Sequence, residues 1–591
     1  MGCIAKNGDD VGTSSHLVRN GWPSASLTGV ARATAVAGLA ALAVWPAWAR
    51  HLDQMLHTFV VTRLPGLDSY DSLKLAAAVF SAGACARSVY RVMCREGLRA
   101  WAVATIVPWA KRLPVVQREL QKASEGVRKD LSATLLKDLT DPRMSLPYAG
   151  MDDCELLSLM EQRKALDTKY WQDGKITGAV YSGEQKHMTL VGKVYGMFAF
   201  NNPLHASLHP ATRQMDAEVV QMVLNMYNAD AKCCGAFTTG GTESILLAMK
   251  SYRDFARLSR GVTEPNIVVC VTAHAAFDKA GQYFGILVKK ACATQDHAID
   301  MRHLRSLIDS NTIAIAGSAP QYPTGTIDPI EEMGRLAISR GIGLHVDCCL
   351  GGFLLPFMEK AGFTLPHLFD FRVPGVTTIS CDPHKYGFSP KGSSILMFKD
   401  PELRHCMYSM VTDWTGGIYA TPTMLGSRPG GVVAATWASM MRLGEQGYIE
   451  TTRQVVQATK AIGQAIQQMD GLVLAGRPDA CVVAFATTPE SGLNCYSIAD
   501  CLKEEGGWEL ATLQNPPAVH LALTLPTSKN APRFIDDLRT AVSTVRSDTS
   551  GKFRGGTAGL YGMAASVPAA FIAESAKVYL DMMLVAASGS A

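Results

Sequence analysis

Several features are scarce in this chain, and each scarcity removes a class of protein. Charged residues make up only 18% of the sequence, below the roughly 25% of an average globular protein, so a long charged coiled coil and a disordered polyelectrolyte are both excluded. Lys+Arg 56 against Asp+Glu 52 gives +4, which lacks the basic footprint of a nucleic-acid binder; no nucleic-acid partner is expected. Fifteen cysteines is an odd number, Cys233-Cys234 and Cys348-Cys349 are adjacent, and no CxxC spacing occurs. A disulfide framework is therefore excluded, and reduced thiols facing a cytosol fit. There is no internal repeat and no long low-complexity segment. What is present is length and hydrophobicity: 591 residues, 48% of them hydrophobic, enough for a large buried core and about four domain-sized pieces.

The longest uncharged run near the start is ATAVAGLAALAVWPAWA, Ala33 to Ala49, 17 residues bounded by Arg32 and Arg50. As a helix it would cover roughly 26 Å of a hydrocarbon core about 30 Å thick, with Arg32 able to snorkel. Trp45 and Trp48 suit an interfacial belt, and Pro46 is tolerated near a helix end. A single-pass membrane anchor is the expectation, with a targeting peptide or a buried helix as rivals. Positive residues flank the run on both sides, so orientation stays open. The stretches 75–86 and 101–110 are too short to span and read as interfacial or packing helices. Met1-Gly2-Cys3 hints only weakly at acylation, because Lys6 stands where that pattern wants Ser or Thr. From Val115 to Lys169 the pattern is helical and charged.

Beyond Met188 short β-branched runs alternate with amphipathic ones. NIVVCVTA (266–273), TIAIAGSAP (312–320), GLHVD (343–347) and TTISCD (377–382) read as buried parallel strands. The segments 243–260, 301–310 and 331–341 read as helices between them. The expectation is an α/β fold, a mostly parallel sheet covered by helices, with ligands at the carboxyl ends of the strands. SRPGG (427–431), a following helix and the strand-like CVVAFAT (481–487) suggest a smaller α+β carboxyl-terminal domain. The expected organisation is a tail and anchor over 1–65, a helical segment over 66–175, a large domain over 176–430 and a small domain over 431–591.

Chemistry is sought after those strands. TTGGTES (238–244) opens a helix with glycines and hydroxyls, where unpaired N–H groups and the helix dipole favour a phosphate. Thr242 could equally be a simple N-cap. Asp347 ends GLHVD; a strand-end Asp is often only a helix cap. Lys385 follows TTISCD in the run His384-Lys385-Tyr386-Gly387, and a loop lysine is usually a solvated charge. Taken in order within one α/β domain, a phosphate cradle, a strand-end carboxylate and a strand-end lysine meet the needs of pyridoxal 5'-phosphate: anchor, pyridinium partner and Schiff-base amine. His274, after NIVVCVTA, is the candidate to stack on the ring.

TTGGTESILLAMKSYRD, TAHAAFDKA, HVDCCLGGF, CDPHKYGFSPKGSS and GGIYATPTMLGSRPGG together resemble the sphingosine-1-phosphate lyase family, fold-type-I pyridoxal-phosphate enzymes of the group II decarboxylase superfamily. The resemblance is dense from Tyr170 to Gly447. It implies retro-aldol cleavage of the C2–C3 bond of a phosphorylated sphingoid base, giving a long-chain aldehyde and phosphoethanolamine. It implies a homodimer with sites at the interface, and an amino-terminal span in the endoplasmic reticulum membrane with a cytosolic catalytic body. By the same resemblance Lys385 matches the Schiff-base lysine, Asp347 the pyridinium partner and His274 the ring-stacking histidine. Gly241, Thr242 and His384 match the cofactor-phosphate region, with Ser427 reaching across from the second subunit. Tyr181, Asn202, His205 and Lys391 match the substrate-phosphate site, and no metal is assigned. A Lys, His, Tyr and Asn set suits a phosphate dianion, whereas a decarboxylase must bind a carboxylate.

Tyr322, in SAPQYPTG, falls near the expected site. The base that takes the C3-hydroxyl proton stays open among His274, Tyr322 and Lys385. An amino-acid decarboxylase on the same scaffold and an inactive membrane scaffold are the alternatives. The paired cysteines are given no catalytic role.

Overall fold

A computed structural model describes residues 114–135, 143–168, 171–554 and 569–585. The run Ala33 to Ala49, the amino-terminal tripeptide and the stretches 75–86 and 101–110 lie outside these residues. Among the described residues no helix is long and apolar enough to cross a membrane. The chain divides into two compact units, one of them formed by Ser145–Val567 apart from the first three residues. Within the other, helices α1 (Pro114–Leu135) and α12 (Ala569–Met583) pack through Val127, Leu131, Val578 and Met582.

The larger unit is organised on a seven-stranded sheet of order β1-β7-β6-β5-β4-β2-β3. Its strands are β1 (Cys234–Thr238), β2 (Asn266–Cys270), β3 (Leu287–Ala291), β4 (Thr312–Ser318), β5 (Gly343–Cys348), β6 (Thr378–Cys381) and β7 (Ser394–Phe398). β3, β2, β4, β5 and β6 run parallel, while β7 pairs antiparallel with both β6 and β1. The four strands read from hydropathy are therefore present, but three of them stop one to three residues early, at Cys270, Ser318 and Cys381. The residues left over start the loops that carry the polar groups.

Alternating side chains enter two apolar layers, because successive residues of a strand face opposite sides. Ile315 belongs to one layer and Ala314 and Ala316 to the other; the same split separates Val268 from Ile267 and Val269. Helices α5 (Gly241–Arg260) and α6 (Ala276–Phe284) cover the second layer, and α4 (Pro210–Met226) and α8 (Ile330–Arg340) the first. Helices α2 (Asp153–Thr168), α3 (Gln185–Met197) and α7 (Met301–Leu307) complete this part.

After β7 an exposed hairpin, β8 (Ser409–Val411) with β9 (Tyr419–Thr421), leads into α9 (Gly430–Gln467). That helix is broken at Gly444, whose φ of 58° and ψ of −178° leave helical space; glycine tolerates such a backbone. It packs on α3 and α4 on one side of the break and on the second sheet's elements on the other. The second sheet, of order β10-β11-β13-β12, is wholly antiparallel. It comprises β10 (Leu472–Leu474), β11 (Val482–Thr487), β12 (Ala511–Leu513) and β13 (Ala518–Ala522), with α10 (Cys495–Gly506) against it and α11 (Ala531–Ser547) packed on α10 and α9. Val482, Phe485, Val519 and Leu521 join the same apolar cluster as the large sheet.

Candidate active site

The parallel registers set Ser318 opposite Asp347, and Cys348 opposite Cys381. The loops after β2, β4 and β6 and the end of β5 thus share one edge of the sheet, carrying His274, Tyr322, the Asp382–Lys385 turn and Asp347. β1 runs in the same direction, since both it and β6 oppose β7, and its end delivers Thr238 to that edge. Open α/β sheets bind ligands at this edge.

Helix α5 starts at Gly241 with Gly240 as its N-cap, and no side chain caps it. The N-cap reading of Thr242 is thereby corrected: its side chain is exposed and the helix start is left to backbone N–H groups. The glycine is required here. A Cβ on Gly241 would lie 2.6 Å from Cys349 Sγ and 2.8 Å from Asp382 Oδ2. Buried hydroxyls fix the helix to the sheet, Thr238 Oγ1 to Ser244 Oγ at 2.6 Å and Ser244 Oγ to Ser394 Oγ at 2.8 Å. Glu243 is buried and accepts from Thr239 N at 2.6 Å, from the Thr239 hydroxyl and from Met424 N at 2.9 Å.

Lys385 Nζ lies 3.2 Å from Asp382 Oδ2, and His384 Nε2 lies 3.5 Å from the same oxygen. Burial, the largest influence, pulls the Lys385 ammonium down; Asp382, Cys349, Tyr181 and Asp347 together outweigh it and hold its pKa above the usual lysine value. Burial also depresses His384, against the pull of Asp382. Asp382 Oδ1 and His384 Nδ1 are buried without a protein partner, beside the start of α5. Gly387, just after the lysine, has its carbonyl held from both halves of α9, by Ser439 Oγ at 2.7 Å and Tyr448 OH at 3.2 Å.

Asp347 accepts from Cys349 N at 3.0 Å and Ser380 Oγ at 3.3 Å, both on Oδ1. Burial opposes its charge, but His274 foremost and the Cys349 bonds keep its pKa below the usual carboxylate value. His274 is exposed, and its Nδ1 accepts from Ala276 N at 3.0 Å, which places any ring proton on Nε2. Behind Asp347, His345 is fully buried between Thr378 Oγ1 at 2.8 Å and Ser380 Oγ at 3.2 Å, and burial pushes its pKa down to about 4.

Lys391 Nζ lies 5.0 Å from the centroid of the Tyr181 ring, a cation–π distance. Although Lys391 reaches solvent, the protein packed around its ammonium and, second, the like charge of Lys385 hold its pKa below the usual lysine value. Burial drives the Tyr181 phenol well above its ordinary value, so it is neutral. Tyr322 is 47% exposed, and its ring meets His520 of β13 edge-on at 4.6 Å. His520 Nδ1 donates to Pro323 O at 2.9 Å. Asn202 lies elsewhere: its Nδ2 donates to Ser427 Oγ at 3.1 Å, and its Oδ1 accepts from Arg428 N at 3.0 Å. His205 is exposed on the same turn, with only backbone bonds among the described contacts. Within one chain, then, Gly241, His274, Asp347, His384, Lys385, Lys391 and Tyr181 form one connected group, and Asn202, His205 and Ser427 a second.

Sequence reasoning passed over Asp382, Glu243, His345 and His520. Asp382 stood inside a quoted motif, and its place one residue beyond a strand end was a usable signal. The others are recognised only by what folding packs against them.

The unpaired helix start, the buried His384 Nδ1 beside it and a strand-end carboxylate within electrostatic reach of the lysine fit pyridoxal phosphate. Residues 151–488 match the pyridoxal-dependent decarboxylase conserved domain. The fold and site thus define a pyridoxal-phosphate-dependent enzyme of the decarboxylase superfamily. The chain is 39% identical over 478 residues to sphingosine-1-phosphate lyase 1 of Rattus norvegicus, covering 80% of this chain and 83% of that one. It is 40% identical to the Saccharomyces cerevisiae sphingosine-1-phosphate lyase, covering 79% and 80%. The solved Burkholderia pseudomallei sphingosine-1-phosphate lyase superposes with a TM-score of 0.67 at 35% identity, covering 70% of this chain and 95% of that one. A Lactobacillus brevis glutamate decarboxylase, at 20% identity and a TM-score of 0.60, shares the fold. The chain belongs to the sphingosine-1-phosphate lyase family.

Proposed function

We propose that this site cleaves the C2–C3 bond of sphingoid base 1-phosphates, giving a long-chain aldehyde and phosphoethanolamine. The observation that carries the reading is the joining of Lys391 and Tyr181 to the Lys385–Asp382 cluster: a cation over a neutral phenol, beside the lysine, suits a phosphate dianion. Bound pyridoxal phosphate supplies an electron sink for the pair released at C2. Lys385 would hold it covalently and yield to the substrate amine. Asp347 has both of its protein hydrogen bonds on Oδ1; with the cofactor bound it would pair with the ring nitrogen and keep a proton there. His274 would lie over the ring, and the α5 amino terminus with Gly241, Thr242 and His384 would take the phosphate.

Lys391 and Tyr181 of one subunit, with Asn202 and His205 brought by the other, would hold the substrate phosphate. Binding energy from that group, remote from the reacting bond, orients C2–C3 for cleavage. The C3-hydroxyl proton passes to a base among Tyr322, His274 and Lys385; Tyr322 is the one placed on a loop that the second sheet braces.

A homodimer completes the proposal. Ser427 is exposed, and the hairpin before it shows Met410, Trp414 and Ile418 to solvent, as an interface supplying Ser427 to the opposite subunit requires. The hydrophobic run Ala33 to Ala49 would anchor the chain in the endoplasmic reticulum membrane, with the catalytic body on the cytosolic side where an amphiphilic substrate is within reach.

The test is incubation of the purified protein with a phosphorylated sphingoid base and, separately, with glutamate and aromatic amino acids. Long-chain aldehyde from the first alone is expected; carbon dioxide from the amino acids would establish the decarboxylase instead. Lys385→Ala is expected to lose both covalent cofactor and turnover.

A further inference from the structure

Glu243 has no place in the chemistry above, yet it is a carboxylate buried to 8% exposure that spends its two oxygens on two different parts of the molecule. Oε2 accepts the backbone N–H and the hydroxyl of Thr239, the residue just before the glycines of the phosphate cradle. Oε1 accepts Met424 N at 2.9 Å. Met424 lies in the segment 409–429, which holds the exposed hairpin β8–β9 and ends at Ser427 and Arg428 on Asn202. One side chain therefore joins the loop that receives the cofactor phosphate to the arm that carries Ser427.

We propose that Glu243 is a positioning residue through which cofactor binding and order in the 409–429 arm are linked. The inference rests on the pyridoxal-phosphate reading of the cradle. A carboxylate held by Thr239 at a set distance offers Met424 N–H an acceptor at one position only. Drawing the phosphate onto the helix start fixes Thr239, which fixes Glu243, which fixes the arm. Linkage is reciprocal, so an ordered arm must in turn favour the cofactor by the same factor. Charge-assisted bonds of this kind are among the stronger hydrogen bonds of a protein.

Glu243→Gln separates the two ends. Its amide oxygen can still accept from Thr239, but its NH2 then faces Met424 N–H, donor against donor. Met424→Pro removes the donor from the arm side and leaves the Thr239 bonds untouched. The experiment titrates pyridoxal phosphate into cofactor-depleted full-length protein and follows hydrogen exchange of peptides within 409–429 alongside the dissociation constant. For the unmodified chain, cofactor is expected to slow exchange in the arm. In both variants that slowing is expected to disappear and the dissociation constant to rise roughly ten-fold, the scale of one hydrogen bond to a charged group. Slowing that persists in either variant, or an arm in the unmodified chain that ignores bound cofactor, overturns the linkage and leaves the enzyme assignment standing. Failure of the unmodified chain to bind pyridoxal phosphate at all would overturn the cofactor reading itself.

Discussion

Lys385 Nζ and Asp382 Oδ2 are 3.2 Å apart, and the carboxylate is only 2% exposed. The lysine meant to hold the cofactor is thus partnered by a carboxylate three residues earlier in the same turn. Asp382 is the strongest of the influences that keep Lys385 protonated against its burial.

Asp382→Asn removes that support, so the Lys385 pKa is expected to fall. The fraction of neutral amine at a given pH rises, and covalent attachment of pyridoxal phosphate, trapped by borohydride, should extend to lower pH than in the unmodified protein. Removing one partner of a buried pair should also cost about 3 kcal/mol of stability in the cofactor-free form. A trapping profile that stays in place would show that Asp382 does not set the state of the lysine.

Gly241→Ala puts a methyl group 2.6 Å from Cys349 Sγ and 2.8 Å from Asp382 Oδ2. Neither neighbour is the free end of a long side chain, so the helix start must shift. A loss of about 1–3 kcal/mol in urea unfolding is expected, together with weaker binding of pyridoxal phosphate in a fluorescence titration.

Lys391→Ala is expected to leave the cofactor in place, as read by its visible absorbance, and to lower kcat/KM for the phosphorylated base by roughly 10- to 100-fold, the value of a hydrogen bond to a charged group. In the unmodified enzyme the pKa of Lys391 is depressed. Its charge is therefore lost at a lower pH than that of an ordinary lysine, and KM should rise on the alkaline side below pH ~10.4, the usual lysine value. An unchanged kcat/KM would remove Lys391 from the substrate site.

His345 carries a pH dependence whose sign follows from its depressed pKa of about 4. An unfolded histidine titrates near ~6.5, so between these values the unfolded chain binds the extra proton. The stability due to neutral His345 is full above pH ~6.5 and is lost progressively as pH falls to about 4, by an amount of order 3 kcal/mol. The measurement is the difference in unfolding free energy between the unmodified protein and His345→Gln across that range. Taking the difference separates His345 from buried Asp328, whose pKa, pushed up to about 6 by burial, titrates there with the opposite sign.

Much of the sheet was legible because strands buried on both faces are nearly continuous apolar runs, as in NIVVC and TIAIAGS. β3 was not: its two lysines, Lys289 and Lys290, reach Asp309 and Asp278 at a sheet edge, and an edge strand bears charge that a central one cannot. Lys385, Asp347 and Gly241 were legible because each ends or follows a strand or opens a helix. The second cluster, Asn202 with Ser427, joins residues more than two hundred positions apart, which no local pattern can express. His520 was invisible for the same reason: it bears on Tyr322 only once β13 is packed against the loop after β4.

The break at Gly444 lets a single helix clasp one carbonyl twice, from Ser439 before the bend and from Tyr448 after it. Both lone pairs of the Gly387 oxygen are then occupied, and the peptide that follows Lys385-Tyr386 loses its freedom to turn. One of the two fingers belongs to the half of the helix seated on the second sheet. Damage far along the chain, in the second sheet, can in this way slacken the grip on the lysine, so carboxyl-terminal lesions should present as failures of cofactor retention.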